Sequence, residues 1–256
     1  MYNRGFGLTR AVVELAGTPV VTATATSVVT ATAHGQTDGK RGTLTNISGL
    51  TGVALDTLYY VVGSTANTFG LSATHGGTAI AMGTGTPSFH PIDEIELSWP
   101  NKISAKVDSK ELTWEGGDAI EKASQMLGIS FDIDLDCVAV SAHRRIFGKA
   151  TLTALPGGFL DGIGIGGGND VSGVSCGFFY EGNTIKTLDS GVNTTVTRRR
   201  WVPSARIALS APGESSTGGK DGQSKYVVTA LRAKADVLGV AIPNVSSNGE
   251  FFIDMV

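Results

Sequence analysis

The sequence predicts a mainly β protein, and two observations lead to that prediction. Residues 129–136 alternate strictly between apolar and polar or acidic side chains, as a strand with one buried face does. Gly, Thr, Val and Ala are abundant, whereas charged residues make up only 17% of the chain, below the quarter or so that is usual in globular proteins. Because the composition and the alternation both favour strands, we expect few helices.

The alternating segment separates a core face from a charged face. The apolar face carries Ile129, Phe131, Ile133 and Leu135. The opposite face carries the carboxylates Asp132, Asp134 and Asp136. Carboxylates on one face lie about 7 Å apart, so each pair repels by about 0.6 kcal/mol in water and by several times more near a protein surface. We therefore expect a bare acidic row that stays in water and repels polyanions.

The chain changes character twice, which predicts its organisation. Residues 20–87 carry almost no charge and open with a tandem copy, because the sequence of 20–25 recurs at 28–33. Alternating Thr and Val favour strands, and pairs such as His34-Gly35 and Asp38-Gly39 favour turns between them. The sequence thus predicts an N-terminal segment at 1–19, an all-β module at 20–87 and a larger domain at 88–256.

Charged alternation resumes in the larger domain. Glu94 and Glu96 alternate with apolar neighbours, and further on Lys102 and Lys106 oppose a face that contains Val107. A helix is predicted after the acidic segment. Its features are Asp136 as N-cap, a stripe of Val138, Ala142 and Ile146, a last turn of His143, Arg144 and Arg145, and Gly148 just beyond.

Several segments match the sequence motifs of catalytic or metal-binding sites but lack the surrounding structure that those sites require. The nucleophile-elbow pattern at 173–177 runs into a strand, and all four histidines precede Ser175. The pattern G-x-G-x-x-G at 162–167 is not followed by a helix, so nothing would hold a pyrophosphate. The histidines lack metal-ligand spacing, and a straight strand spreads the aspartates apart. We predict no catalytic site, cofactor or metal.

The one concentrated basic stretch is Arg198-Arg199-Arg200-Trp201. Phosphate contacts with base stacking are one interpretation of such a stretch. In a strand, however, Arg198 and Arg200 face one way while Arg199 faces the other, so the three do not form one patch. Pairing with carboxylates, within the chain or across a subunit boundary, is the better interpretation.

The remaining features point to a protein made in the cytoplasm. Cys137 and Cys176 lie in apolar contexts without paired spacing, as buried free thiols do. No stretch approaches the roughly 20 apolar residues of a membrane span. The net charge of -3 gives no bulk attraction to nucleic acid or to anionic membranes.

The order of these pieces resembles the major tail tube proteins of long-tailed bacteriophages. The resemblance runs from about residue 90 to 245. It covers the acidic strand and helix, the strand at 174–180, the arginine-containing strand at 194–202, the strand at 206–210, the polar loop at 211–224 and the strand at 225–232. Residues 20–87 resemble a β module that recurs in phage structural proteins, appended or inserted here.

This resemblance implies a fold and an assembly. It implies a barrel-like antiparallel β-sandwich with one flanking helix, and a strand over 118–127, where Asp118 and Glu121 otherwise suggest a helix capping box. Six copies would close into a ring, and rings would stack into a tube in the virion tail, assembled in the host cytoplasm. DNA would pass through the channel without specific binding. The candidate channel-lining residues are Asp132, Asp134, Asp136, Glu94 and Glu96.

The implied partners are further copies of the chain and other tail proteins, such as the tape measure, distal tail and terminator proteins. The loop at 211–224 would contact the next ring. The candidate subunit-contact residues are Arg198, Arg199, Arg200, Gly213, Glu214, Lys220 and Asp221. An alternative is a phage adhesin or decoration protein built of two β domains, which would remain a monomer or small oligomer. An esterase or glycosidase is the least supported class, since the carboxylates lack a second catalytic group.

Overall fold

The structure is a computed structural model of the chain, and its fold is mainly β, as predicted. Among the described residues the strand pairs are antiparallel, and no strand pairing closes the sheet into a barrel. The chain divides into two compact units. The first unit comprises 1–13, 95–233 and 246–256, and the second comprises 14–94 and 234–245. The structure describes residues 2–97, 100–116, 119–135, 140–148, 173–187, 193–211, 224–242, 245–246 and 249–255.

The described residues form fourteen strands and one helix. In chain order these are β1 (Tyr2–Ala16), β2 (Val20–Val21), β3 (Ala23–Ala25), β4 (Val28–Thr30), β5 (Arg41–Thr45), β6 (Tyr59–Val62), β7 (Thr68–Ser72), β8 (Ser88–Glu96), β9 (Pro100–Gly116), β10 (Ala119–Leu135), α1 (Val140–Phe147), β11 (Val174–Thr187), β12 (Asn193–Ala211), β13 (Ser224–Ala230) and β14 (Ile253–Met255).

The first unit is built on the strand order β1-β11-β12-β13-β10-β9, with β14 beside β12. The predicted apolar face of β10 is confirmed, since all four of its apolar residues are buried. The segment 119–127 belongs to β10, so the choice of strand over helix there is also confirmed. The core of this unit therefore lies on the face of the sheet that Phe131 and its neighbours provide.

Helix α1 forms where the sequence predicts it and ends before Gly148, whose φ of 63° is the left-handed conformation typical of a helix C-terminus. His143 is fully buried, and its Nδ1 lies 2.8 Å from the Tyr226 hydroxyl of β13. Its ring also packs on Phe147, at 4.5 Å between centroids. His143 thus anchors the helix to the sheet, whereas Arg144 and Arg145 of the last turn are less buried. Asp136 and Val138 lie outside the described residues.

Two strands of the first unit extend beyond their neighbours. β9 and β10 pair along their whole length, from Pro100 opposite Leu135 to Gly116 opposite Ala119. β13 accompanies β10 only from Ile129 to Leu135. Among the described strands, the far half of the β9–β10 hairpin therefore consists of β9 and β10 alone. β9 is also the last strand in the order, so in the described part of the chain no strand covers its outer edge.

The second unit follows the order β3-β4-β7-β6-β5-β8, and β2 pairs with β8. Its core is one cluster, formed by Val29, Leu44, Tyr59, Val61, Phe69, Leu71, Met82 and Phe89. Gly42 in β5 packs so closely on the Phe89 ring that a Cβ there would lie 2.5 Å from it. The unit contains the whole predicted module 20–87, but it also includes residues 234–245 from far along the chain.

Candidate functional site

The polar face of β10 carries the main predicted functional residues, and lysines surround them. Asp134 lies directly opposite Lys102 of β9 and Lys225 of β13. The Lys225 Nζ atom is 3.5 Å from the Asp134 carboxylate, and the Lys106 Nζ atom is 2.5 Å from that of Asp132. The hydrogen bond to Asp132 raises the pKa of Lys106. Two carboxylates and three ammonium groups thus share this part of the face.

The expected bare acidic row is therefore wrong for Asp132 and Asp134. Their side chains are only 24% and 16% exposed, and each has a lysine partner. The prediction considered one strand alone, whereas cross-strand neighbours decide the local charge of a sheet. Asp136 lies outside the described residues. The face that results has nearly balanced charge rather than a strong negative potential.

Glu94 and Glu96 are also paired. Glu96 is in the first unit and accepts a hydrogen bond from Arg10 Nε at 3.3 Å. Glu94 is in the second unit and accepts one from Arg41 Nη2 at 2.9 Å. Ile95, on the opposite face of β8, is buried as the alternation predicted. These two glutamates thus have cationic partners, each within its own unit.

Arg41 is at the centre of a charged network inside the second unit. Its guanidinium also pairs with Glu14 of β1, whose side chain is only 1% exposed. Burial lowers the pKa of Arg41, but Glu14 and then Glu94 outweigh that effect, so its pKa is raised. Lys40 adds a neighbouring ion pair with Asp93, at 2.7 Å. This network compensates a carboxylate that is almost completely removed from water.

The three consecutive arginines of β12, at positions 198–200, have acidic partners within the chain. Arg200 donates to Asp254 through two nitrogens, at 2.6 and 2.8 Å, and Arg198 donates to the same carboxylate at 2.5 Å. Arg199 faces the other way, pairs with Glu181 and stacks over Phe179, 4.5 Å from the ring centroid. The predicted alternation of the three arginines is confirmed. No single basic patch for nucleic acid forms along this stretch.

Asp254 belongs to a short C-terminal strand, β14, that sequence reasoning missed. The strand pairs with Arg199–Trp201 of β12. Hydrogen bonding to Arg200 lowers the pKa of the Asp254 carboxyl. Arg200 also lies 4.3 Å from the Phe252 ring centroid. The pattern Phe-Phe-Ile-Asp at 251–254 is the local signal for such a strand, but nothing in it indicates β12 as its neighbour.

The remaining predicted site residues lie within a strand or outside the described residues. Ser175 lies within β11, so the turn and helix of a nucleophile elbow do not form there. Gly213, Glu214, Lys220 and Asp221 lie outside the described residues. Within the described ranges, no group of three His, Cys, Asp or Glu side chains is arranged to hold a metal ion. Helix α1, the one helix described, is too short to cross a membrane.

The second unit has a shallow surface pocket of about 310 Å³. Asp38 and His75 are its polar side chains, and two valines and four glycines complete its lining. The Asp38 carboxylate accepts the backbone N–H of Ser64 at 2.7 Å, which fixes its orientation. The pocket is open to solvent, unlike the enclosed and mostly apolar clefts that bind small molecules tightly.

Comparison of the chain with protein-family models, with curated proteins and with solved structures found no significant match.

Proposed function

We propose that this protein is a structural subunit that assembles with copies of itself, as the subunit of a bacteriophage tail tube built of stacked hexameric rings. The observation that carries the proposal is the unfinished sheet of the first unit. Among the described strands, none covers the outer edge of β9, and none lies beside the far half of its hairpin with β10. The order of sequence motifs supports the phage assignment.

The physical argument rests on unpaired backbone groups. A strand edge of this length exposes a row of N–H and C=O groups that readily pair with another chain. A two-stranded hairpin is at best marginally stable in water, and more strands stabilise it. Strands of neighbouring copies would form hydrogen bonds with the edge of β9 and would add strands to the hairpin. Val107, predicted to lie on a core face, is 54% exposed on this edge and would be covered by a neighbour.

The polar face of β10 remains our candidate for the channel lining. Lys106 and Lys225 each form an ion pair with a carboxylate there, so a passing phosphate would compete with Asp132 or Asp134 for them. A surface of alternating charges offers DNA no continuous basic track. DNA would thus bind the lining only weakly, because the charges of the lining are balanced rather than because the lining repels DNA. The tape measure, distal tail and terminator proteins are the further partners that this role implies.

A binding module, such as a phage adhesin or decoration protein, is the second candidate function. The pocket at Asp38 and His75 in the second unit is the observation that favours it. Such a protein would remain a monomer or a small closed oligomer at every concentration. Within the tube proposal, the same unit would serve as an accessory domain.

Negative-stain electron microscopy of the purified protein over a concentration series tests the proposal. We expect long hollow filaments at high concentration. Val107→Lys adds a charge at the open edge and should abolish them, because charged side chains on edge strands oppose pairing. The matched control is Val21→Lys in the second unit, at a residue that is 76% exposed, which should leave them intact. Monomers at all concentrations would instead favour the adhesin.

A further inference from the structure

We propose that, before assembly, the outer edge of β9 is closed by the same edge of a second copy, in an antiparallel two-fold pairing centred on Ala105. This inference rests on the proposed function, because it concerns how the assembly edge is protected in the free subunit. An uncovered edge strand is an aggregation hazard, and pairing it reversibly removes that hazard.

The first support is the set of side chains that β9 exposes. Lys102 and Asp108 are both exposed, and neither has an ion pair within 4 Å among the described residues. Val107 lies between them in sequence and is more than half exposed. A partner for this edge should therefore offer a carboxylate, an ammonium group and an apolar side chain at matching intervals.

A second copy of β9 meets these requirements. When two antiparallel copies are centred on Ala105, Lys102 of one copy lies opposite Asp108 of the other. The two-fold axis generates this ion pair twice. On the other face, Ile103 of each copy lies opposite Val107 of its partner. The exposed valine of each copy is therefore covered. Opposite charges and apolar pairs directly across strands are the favourable cross-strand combinations.

The registers centred on Ser104, Lys106 and Val107 are less favourable than the one centred on Ala105. Centring the pair on Ser104 puts Lys102 opposite Lys106, and centring it on Lys106 puts two lysines face to face; like charges in these positions are destabilising. Centring it on Val107 pairs Lys106 with Asp108, but Lys106 is already bound to Asp132 at 2.5 Å. Shifting one copy of β9 by one residue relative to the other places charged side chains opposite apolar ones.

Disulfide trapping with a single introduced cysteine tests the register. In the proposed pair the two Ala105 residues are directly opposite, with Cα atoms about 5 Å apart, a distance that a disulfide spans. The two Val107 residues would be about 13 Å apart, which a disulfide does not span. Mild oxidation of Ala105→Cys should therefore give covalent dimers, and oxidation of the matched control Val107→Cys should not. Wild-type protein controls for the native cysteines.

Charge reversal gives a second readout. Lys102→Asp should weaken the dimer about tenfold, as sedimentation measures it, since it creates two like-charge pairs. Adding Asp108→Lys to Lys102→Asp should restore the dimer, because it reverses both members of each pair. Failure of this rescue would overturn the proposed pairing, as would efficient trapping through Val107→Cys or the absence of Ala105→Cys dimers.

These outcomes are distinct from those that bear on the tube. Filaments from a wild-type protein whose Ala105→Cys variant does not cross-link would leave the proposed function standing and refute the two-fold pair. Covalent Ala105→Cys dimers, together with wild-type protein that forms no filaments at any concentration, would establish the pair and refute the tube.

Discussion

Replacing Arg41 with methionine should destabilise the second unit by about 3 to 5 kcal/mol, the usual cost of removing one partner from a buried ion pair. Glu14 would lose its guanidinium partner while its side chain stays almost fully buried. Methionine keeps an unbranched stem of similar size, so the change removes mainly the charge. Amide hydrogen exchange of β6 and β7, which carry the core of this unit, should accelerate accordingly.

The matched control for this change is Glu94→Gln. Glu94 accepts from the same guanidinium but is partly exposed, so its loss should cost less than about 1 kcal/mol. If Arg41→Met leaves exchange in β6 and β7 unchanged, the Arg41–Glu14 pair does not stabilise this unit. Equal effects of the two substitutions would show that burial of Glu14 is not what makes the network important.

Replacing Phe131 with alanine should destabilise the first unit by about 3 to 5 kcal/mol, because it opens a cavity in the core. Phe131 is fully buried and lies 6.0 Å from Tyr180 and 6.3 Å from Phe178, between ring centroids. Urea unfolding followed by tryptophan fluorescence measures the change. All three tryptophans of the chain fall within the ranges of the first unit.

The neighbouring residue provides the control for this substitution. Asp132→Ala removes one member of a partly exposed ion pair, so the free energy of unfolding should change by less than about 1 kcal/mol. If one face of the strand is buried, the loss in the free energy of unfolding should be much larger at position 131 than at position 132. Similar losses at the two positions would contradict the assignment of Phe131 to the core and Asp132 to the polar face.

Local patterns in the sequence predicted the local structure of the first unit well. The period-2 alternation of β10 identifies its buried face, because that period is a property of the strand itself. The stripe of Ala142 and Ile146 followed by Gly148 likewise identifies the helix, because its spacing is a property of the helix itself. Both predictions concern residues within one turn or one strand of each other, so no information about distant segments is needed.

The partners of the charged residues could not be predicted in this way. Lys225 is far from Asp134 in sequence, and Asp254 is far from Arg200, so only the strand order brings them together. His143 shows the same limit, since it is fully buried and hydrogen-bonded to Tyr226 although its neighbours in sequence are arginines. The prediction of a bare acidic face on β10 was wrong for the same reason, because it considered the strand without its neighbours.

The extent of the second unit depends on distant contacts as well. Composition marks 20–87 as distinct, but the compact unit runs from Glu14 to Glu94 and includes Lys234–Val245. Glu14 lies outside the Thr-rich segment, yet it belongs to this unit and pairs with Arg41 there. A shift in composition therefore locates a module without giving its boundaries.

The most direct way to learn whether another copy completes β9 is to measure amide hydrogen exchange along 102–109 at increasing protein concentration. The outer-edge amides should be unprotected in dilute protein and become protected as concentration rises, because a neighbouring strand then accepts their hydrogen bonds. Exchange in β6 should stay constant over the same series. Exchange along 102–109 that is equally fast at every concentration would contradict self-assembly through this edge.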